Sequence, residues 1–143
     1  MALRPAELSD IPEIHTVRLS VHENVLRDHA SVTVDAYRAM LVDRGRGWVD
    51  ERDGRIVGFG VADQQARNIW ALFVAPGFEG IGIGRSLIAA MVTWLHEQSS
   101  APIWLTTEPG SRAERFYRAA GWRDVGTTET GEVRFELAER ISN

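Results

Sequence analysis

The stretch Glu79-Gly80-Ile81-Gly82-Ile83-Gly84-Arg85-Ser86-Leu87 lies between an apolar run at 69–74 and a long apolar-periodic segment at 83–96. That order reads as a strand, a tight glycine turn and a helix start. A helix start leaves unpaired N–H groups pointing outward, and the helix dipole favours negative charge there. Glycines let a phosphate come close to the backbone. The segment predicts an anion-binding turn and poses the question of which ligand it holds.

Two phosphate-binding patterns fail here. A P-loop needs six residues from glycine to glycine, then Lys-[ST]; Gly80 to Gly84 is one short, and Arg85-Ser86 follows. A dinucleotide fingerprint needs a glycine at position 85 and an acid about 20 residues on, in the first βα turn. Position 85 is Arg, position 100 is Ser, and the loop lies past the middle of the chain. The glycines then make either a plain tight turn or a ligand site of another kind.

Working outward, strands are predicted at 3–4, 48–52, 55–61 and 68–74, with Asp53-Gly54 as a hairpin turn. Asp10-Ile11-Pro12-Glu13 opens a first helix, with Asp10 as cap and an apolar stripe of Ile11, Ile14, Val17, Arg18 and Val21. A second helix spans 33–41 and ends at Gly45-Arg46-Gly47. A long helix spans 83–98, carrying Leu87, Ile88, Met91, Val92 and Leu95 at helical spacing. A strand at 103–106 follows, then a helix to Ala120 opened by a capping box, Ser111-Arg112-Ala113-Glu114. Strands at 122–128 and 132–137 close the chain. The order β-α-α-β-β-β-α-β-α-β-β predicts an α+β fold, a mixed central sheet flanked by helices, in a single domain over 1–143.

Val74-x-Pro76-x-x-Glu79-Gly80-x-Gly82-x-Gly84 resembles the acetyl-CoA loop of the GCN5-related N-acetyltransferase (GNAT) family, V-x-P-x-x-[QR]-x-x-G-x-[GA]. Starting 33 residues past Gly80, the segment Ala113 to Trp122 looks like the family's A-x-x-x-Y-x-x-x-G-[FW]. The element order agrees as well, so the resemblance covers essentially the whole chain. Two positions depart from it. Glu79 stands where the family has Gln or Arg; a carboxylate repels diphosphate, so this side chain is expected to point away and leave binding to the backbone. Gly110 stands where many members place an Asn.

The resemblance implies an acetyl-CoA site made by Leu72, Phe73, Val74, Glu79, Gly80, Ile81, Gly82, Ile83, Gly84, Arg85, Ser86 and Tyr117. The diphosphate would sit on N–H groups from Gly80 to Gly84, and the pantetheine arm between splayed strands at 69–74 and 103–106. The N–H of Phe73 or Val74 would polarise the thioester carbonyl. An acceptor amine attacks directly in a ternary complex and thiolate leaves, with Tyr117 as the matching general acid. Only about one amine in a few thousand is neutral at pH 7, so a base or water relay is useful. Glu23, Asp63 and Glu108 are candidates, each with a plain surface or turn role as its alternative. Glu23, Asn24 and Trp48 are the candidate acceptor-side residues, Trp48 either walling the site or packing in the core.

Composition narrows the remaining classes. A net charge of −4 argues against a general nucleic-acid binder. No cysteine is present, which removes thiolate metal ligands and cysteine nucleophiles. His15, His22 and His29 recur every seven residues, whereas helical metal pairs use four, so no metal is predicted. No apolar run approaches a membrane span and no signal-peptide core is evident, so a cytoplasmic protein is expected. All 16 basic residues are Arg, which genome composition or avoidance of self-modification would each explain. A homodimer is suggested by the resemblance alone. The alternative to an enzyme acetylating a primary amine of a small molecule, peptide or protein is a non-catalytic acyl-CoA-binding module on the same fold.

Overall fold

Seven strands and four helices make up the computed structural model, which describes residues 2–21 and 32–138. The strands are β1 (Leu3–Pro5), β2 (Gly45–Arg52), β3 (Arg55–Asp63), β4 (Asn68–Val74), β5 (Ile103–Thr107), β6 (Arg123–Thr127) and β7 (Val133–Leu137). The helices are α1 (Ile11–Ser20), α2 (Val34–Arg38), α3 (Ile83–Gln98) and α4 (Arg112–Ala119). One sheet runs β1-β2-β3-β4-β5-β7-β6, antiparallel except for β4 beside β5. The α+β class and element order are those expected. Among the described residues no helix is long and apolar enough to cross a membrane.

The sheet buries both faces. On one, α3 packs Ile83, Leu87, Met91 and Leu95 against Val57, Ala62, Ile69, Ile103 and Leu105. The i, i+4 spacing of these α3 residues makes a single stripe. The helix comes close to β3 because Gly60 lacks a side chain: a Cβ there would lie 2.6 Å from the Met91 Cε. On the other face Ile11, Ile14 and Val17 of α1, with Tyr37 of α2, cover Val49, Ile56, Phe59, Val61, Ala71 and Phe73. Arg18 is buried there too, its guanidinium 5.0 Å from the Trp70 and Phe73 rings and 5.5 Å from Tyr37. The apolar stripe of α1 thus admits an arginine because aromatic faces receive its charge.

Two local expectations are corrected. Asp10 does not cap α1, because a 3-10 turn (Leu8–Asp10) runs directly into that helix. Its carboxylate accepts instead from the Glu7 N–H at 2.7 Å and from Arg4 at 2.9 and 3.0 Å. Glu13 turns outward from the helix and accepts from the Ile56 N–H at 2.6 Å, pinning α1 to the start of β3. The second helix starts as expected, with the Thr33 hydroxyl accepting from the Ala36 N–H at 3.1 Å. After Arg38 it widens into a π turn (Ala39–Arg44), and Gly45 begins β2 rather than a loop.

Candidate active site

β4 and β5 are parallel neighbours but pair at one position only among the described residues, Asn68 opposite Trp104. There the Asn68 amide donates to the Trp104 carbonyl at 3.1 Å, and the Trp104 N–H donates to the Arg67 carbonyl at 3.0 Å. Beyond that apex each strand follows its other neighbour. β4 stays in register with β3 (Phe59 opposite Phe73), and β5 with β7 (Thr107 opposite Val133). The strands therefore part, and a cleft of about 590 Å³ opens at their C-terminal ends. Leu72, Phe73 and Val74 of β4 form one wall of it.

The glycine loop forms the next wall. Gly82 precedes α3 with φ +96°, in the left-handed region, and offers no capping side chain. The helical ladder begins with the Ser86 N–H bonded to the Gly82 carbonyl at 3.0 Å. The N–H groups of Ile83, Gly84 and Arg85 come before that ladder and need partners from outside the helix. No acid stands in the first turn of α3, so the dipole's positive end is not offset there. A Cβ on Gly84 would face Val74 and Phe116 at 3.8 and 4.0 Å; without it the cleft reaches the backbone.

The third wall is the start of α4. Ser111 caps this helix, its hydroxyl accepting from the Glu114 N–H at 3.1 Å and donating to the Glu108 carbonyl at 2.6 Å. The capping box closes one residue early: the Glu114 carboxylate accepts from the Gly110 N–H at 2.8 Å rather than from Ser111. Gly110 thus lends its main chain to hold the α4 entry. Tyr117 is buried and lines the cleft, with its ring edge-on to Phe116 and Trp122 at 5.1 and 5.6 Å. Packing on two aromatic neighbours fixes where its phenol can reach.

Of the expected cofactor residues, Leu72, Phe73, Val74, Glu79, Gly80, Ile81, Gly82, Gly84, Arg85 and Tyr117 all line this one cleft. Ile83 has its side chain buried beneath it. Ser86 faces elsewhere, into a shallower groove between β2 and α3. Trp48 lines that second groove, edge-on to Trp94 at 5.9 Å; β2 turns it toward α3, and it is not among the residues lining the cleft. Glu23 and Asn24 lie outside the described residues. Asp63 is buried and spoken for, accepting from Arg44 at 2.9 and 3.1 Å and from the Ala66 N–H at 3.1 Å. Glu108 is half-buried at the end of β5 and does not line the cleft. Sequence reasoning missed Val21, Phe78, Arg112 and Phe116, which also line it. For Phe116 a signal existed: Phe116 and Tyr117 follow Ala113 on α4 at spacings of three and four, and all three line the cleft.

Glu79 departs from its family position in a specific way. Its carboxylate bends back and accepts from the Gly77 N–H at 2.7 Å. The main-chain N–H groups of Glu79 itself and of Gly77 hold this exposed carboxyl below the usual range, with Arg112 adding attraction.

The chain matches the acetyltransferase (GNAT) family over residues 11–122. It is 30% identical over 131 residues to the peptidyl-lysine N-acetyltransferase YiaC of Escherichia coli, covering 86% of this chain and 84% of that protein. An uncharacterised N-acetyltransferase of Mycobacterium tuberculosis is 28% identical over 123 residues, covering 78% and 79%. The fold resembles the ribosomal-protein-S18-alanine N-acetyltransferase of Escherichia coli, with TM-score 0.76, 14% identity and coverage of 99% and 95%. It also resembles a putative acetyltransferase of Salmonella typhimurium solved with its cofactor acetyl-CoA, with TM-score 0.77, 16% identity and coverage of 100% and 97%.

Proposed function

The chain belongs to the acetyltransferase (GNAT) family, whose acyl donor is acetyl-CoA, and on that premise we propose that it acetylates a primary amine of a small molecule, peptide or protein. The observation that carries this reading is one cleft with an uncapped helix N-terminus on one side and Tyr117 on another, opened by the parting of β4 and β5. The cleft fits the donor's shape and charge. N–H groups at 83–85 suit a diphosphate. The apolar walls of Leu72, Val74 and Phe116 suit the carbon chain of a pantetheine arm.

Acetyl-CoA, when bound, supplies an activated thioester. The chain's own groups then have three tasks. The glycine-loop backbone anchors the diphosphate and so fixes the depth of the thioester. The Val74 N–H, which alternation along β4 turns away from β3 to the side freed from β5, donates to the carbonyl oxygen as negative charge develops there. Tyr117 gives its phenolic proton to the departing sulfur, whose own acid has a pKa of about 8.5.

Lysine-bearing peptides are the acceptors to try first, since the YiaC relative is named for that activity. The test is acetyl-CoA-dependent thiol release across a panel of small amines, lysine peptides and free amino-terminal peptides. Turnover on one class is expected. Failure to bind acetyl-CoA would end the reading. The second reading, an acyl-CoA-binding module without turnover, draws on one observation: Glu79 is the sole carboxylate lining the cleft among the described residues, and it is already hydrogen-bonded. Tight CoA binding with no thiol release on any amine would favour it.

A further inference from the structure

We propose that Glu79 is a built-in anion on the rim of the diphosphate cradle, and that it restrains the affinity of this chain for acetyl-CoA. The inference rests on the cleft being the acetyl-CoA site. The turn after β4 carries the Glu79 side chain back onto the Gly77 N–H at 2.7 Å, which fixes the carboxylate in place. Glu79 lines the cleft beside Gly80, Gly82 and Arg85, with its carboxylate held on the Gly77 N–H of the same loop. An incoming diphosphate must approach this loop to reach the α3 N-terminus. It therefore meets a like charge that cannot swing away without giving up a hydrogen bond.

The charged groups around the rim divide by sign. Arg85 on α3 and Arg112 at the start of α4 line the cleft and attract the phosphates. Arg112 also attracts Glu79, so the carboxylate competes with the ligand for the same cation. Glu79 thus acts in two opposing ways. Its hydrogen bond holds the loop in shape, and its charge opposes the ligand that the loop receives.

Glutamine separates the two. Its amide oxygen still accepts from the Gly77 N–H, while the charge is gone. Alanine removes both. Expected by titration calorimetry with CoA is tighter binding by Glu79→Gln, on the order of 3–10-fold at about 20 mM salt. That gain shrinks at about 200 mM salt as screening grows. Glu79→Ala gains less than Glu79→Gln, because the loop loses its hydrogen bond. Dephospho-CoA, which keeps the diphosphate and lacks the 3′-phosphate, shows the same gain as CoA.

Equal or weaker CoA binding by Glu79→Gln, with an unchanged melting temperature, overturns the proposal. A gain seen with CoA but absent with dephospho-CoA also overturns it, since the charge sensed is then the 3′-phosphate. Wild-type protein that binds CoA with no gain in either variant leaves the site reading standing and removes this one. Wild-type protein that binds no CoA removes both.

Discussion

Asn68 stands opposite Trp104 at the apex of the wedge, and its side-chain amide bonds the Trp104 carbonyl at 3.1 Å. That bond adds to the main-chain bond from the Trp104 N–H to the Arg67 carbonyl, at the point where β4 and β5 meet. The Trp104 indole reinforces the apex by donating to the Ala66 carbonyl at 2.8 Å. Asn68→Ala removes a half-buried hydrogen bond, which is expected to cost about 1 kcal/mol and lower the melting temperature by roughly 2–5 °C. CoA affinity changes little, because the phosphate cradle lies at the far end of β4. Thermal melts with and without CoA check both parts.

Gly82 occupies the left-handed region at φ +96°, where a β-branched residue is strained. Gly82→Val is expected to move the loop, lowering CoA affinity by about tenfold or more, with a stability loss of roughly 1–3 kcal/mol. Glu79→Ala shows no such loss, because the Glu79 side chain bonds the Gly77 N–H and makes no helix-start bond. Calorimetric titration of the two variants side by side is the check. A Gly82→Val protein that binds CoA like wild type would place the diphosphate elsewhere.

Tyr117→Phe keeps the ring that packs on Phe116 and Trp122 and removes the phenolic oxygen alone. Fold and CoA affinity are therefore expected to hold. Turnover is expected to fall by about 100-fold or more, the range of a lost general acid. Single-turnover thiol release and CoA titration on the same preparation separate the two effects. Turnover at the wild-type rate would take Tyr117 out of the acid role.

Much of the frame is legible in local pattern. The apolar run at 68–74 and the 3.6-residue period at 83–98 give β4 and α3 with the observed ends. What local pattern cannot carry is which face of a strand meets which helix. Trp48 reads equally well as a cleft wall or as core until the sheet order puts its side chain toward α3. Long-range capping is equally silent. Arg67 sits in a turn at φ +58° and donates to the carbonyls of Leu95, Ser99 and Ala101, closing the C-terminus of α3. Those partners are 28 to 34 residues away, and no spacing rule links them. Glu13 is a similar case, a helix acid whose partner is a strand N–H across the core boundary. Within the site the loop glycines and Tyr117 are legible because the anion and the proton transfer each demand a residue type. Arg112 and Val21 are not, since their place depends on how the walls meet.

Asp10 and Arg4 make one contribution to stability that depends on pH. The Asp10 carboxylate takes two bonds from the Arg4 guanidinium, at 2.9 and 3.0 Å, and one from the Glu7 N–H at 2.7 Å. The Arg4 guanidinium holds this carboxyl below its usual range, against the opposing effect of burial. The unfolded chain, with an ordinary carboxyl near 3.9, therefore binds the proton first as pH falls. The pair's stabilisation is fully present above that value and disappears as pH drops through the lower folded value. Asp10→Asn keeps an acceptor for the Glu7 N–H but loses the charge, and Arg4 retains Glu51 at 3.2 Å. The variant is expected to be about 1–2 kcal/mol less stable than wild type at pH 7. In urea denaturation the gap narrows below about pH 4 and closes once the pH is below the lowered folded value, where the carboxyl is protonated in both states of the wild type. A gap that stays constant from pH 7 to the acid limit would show that Asp10 acts through shape and hydrogen bonding, with no contribution from its charge.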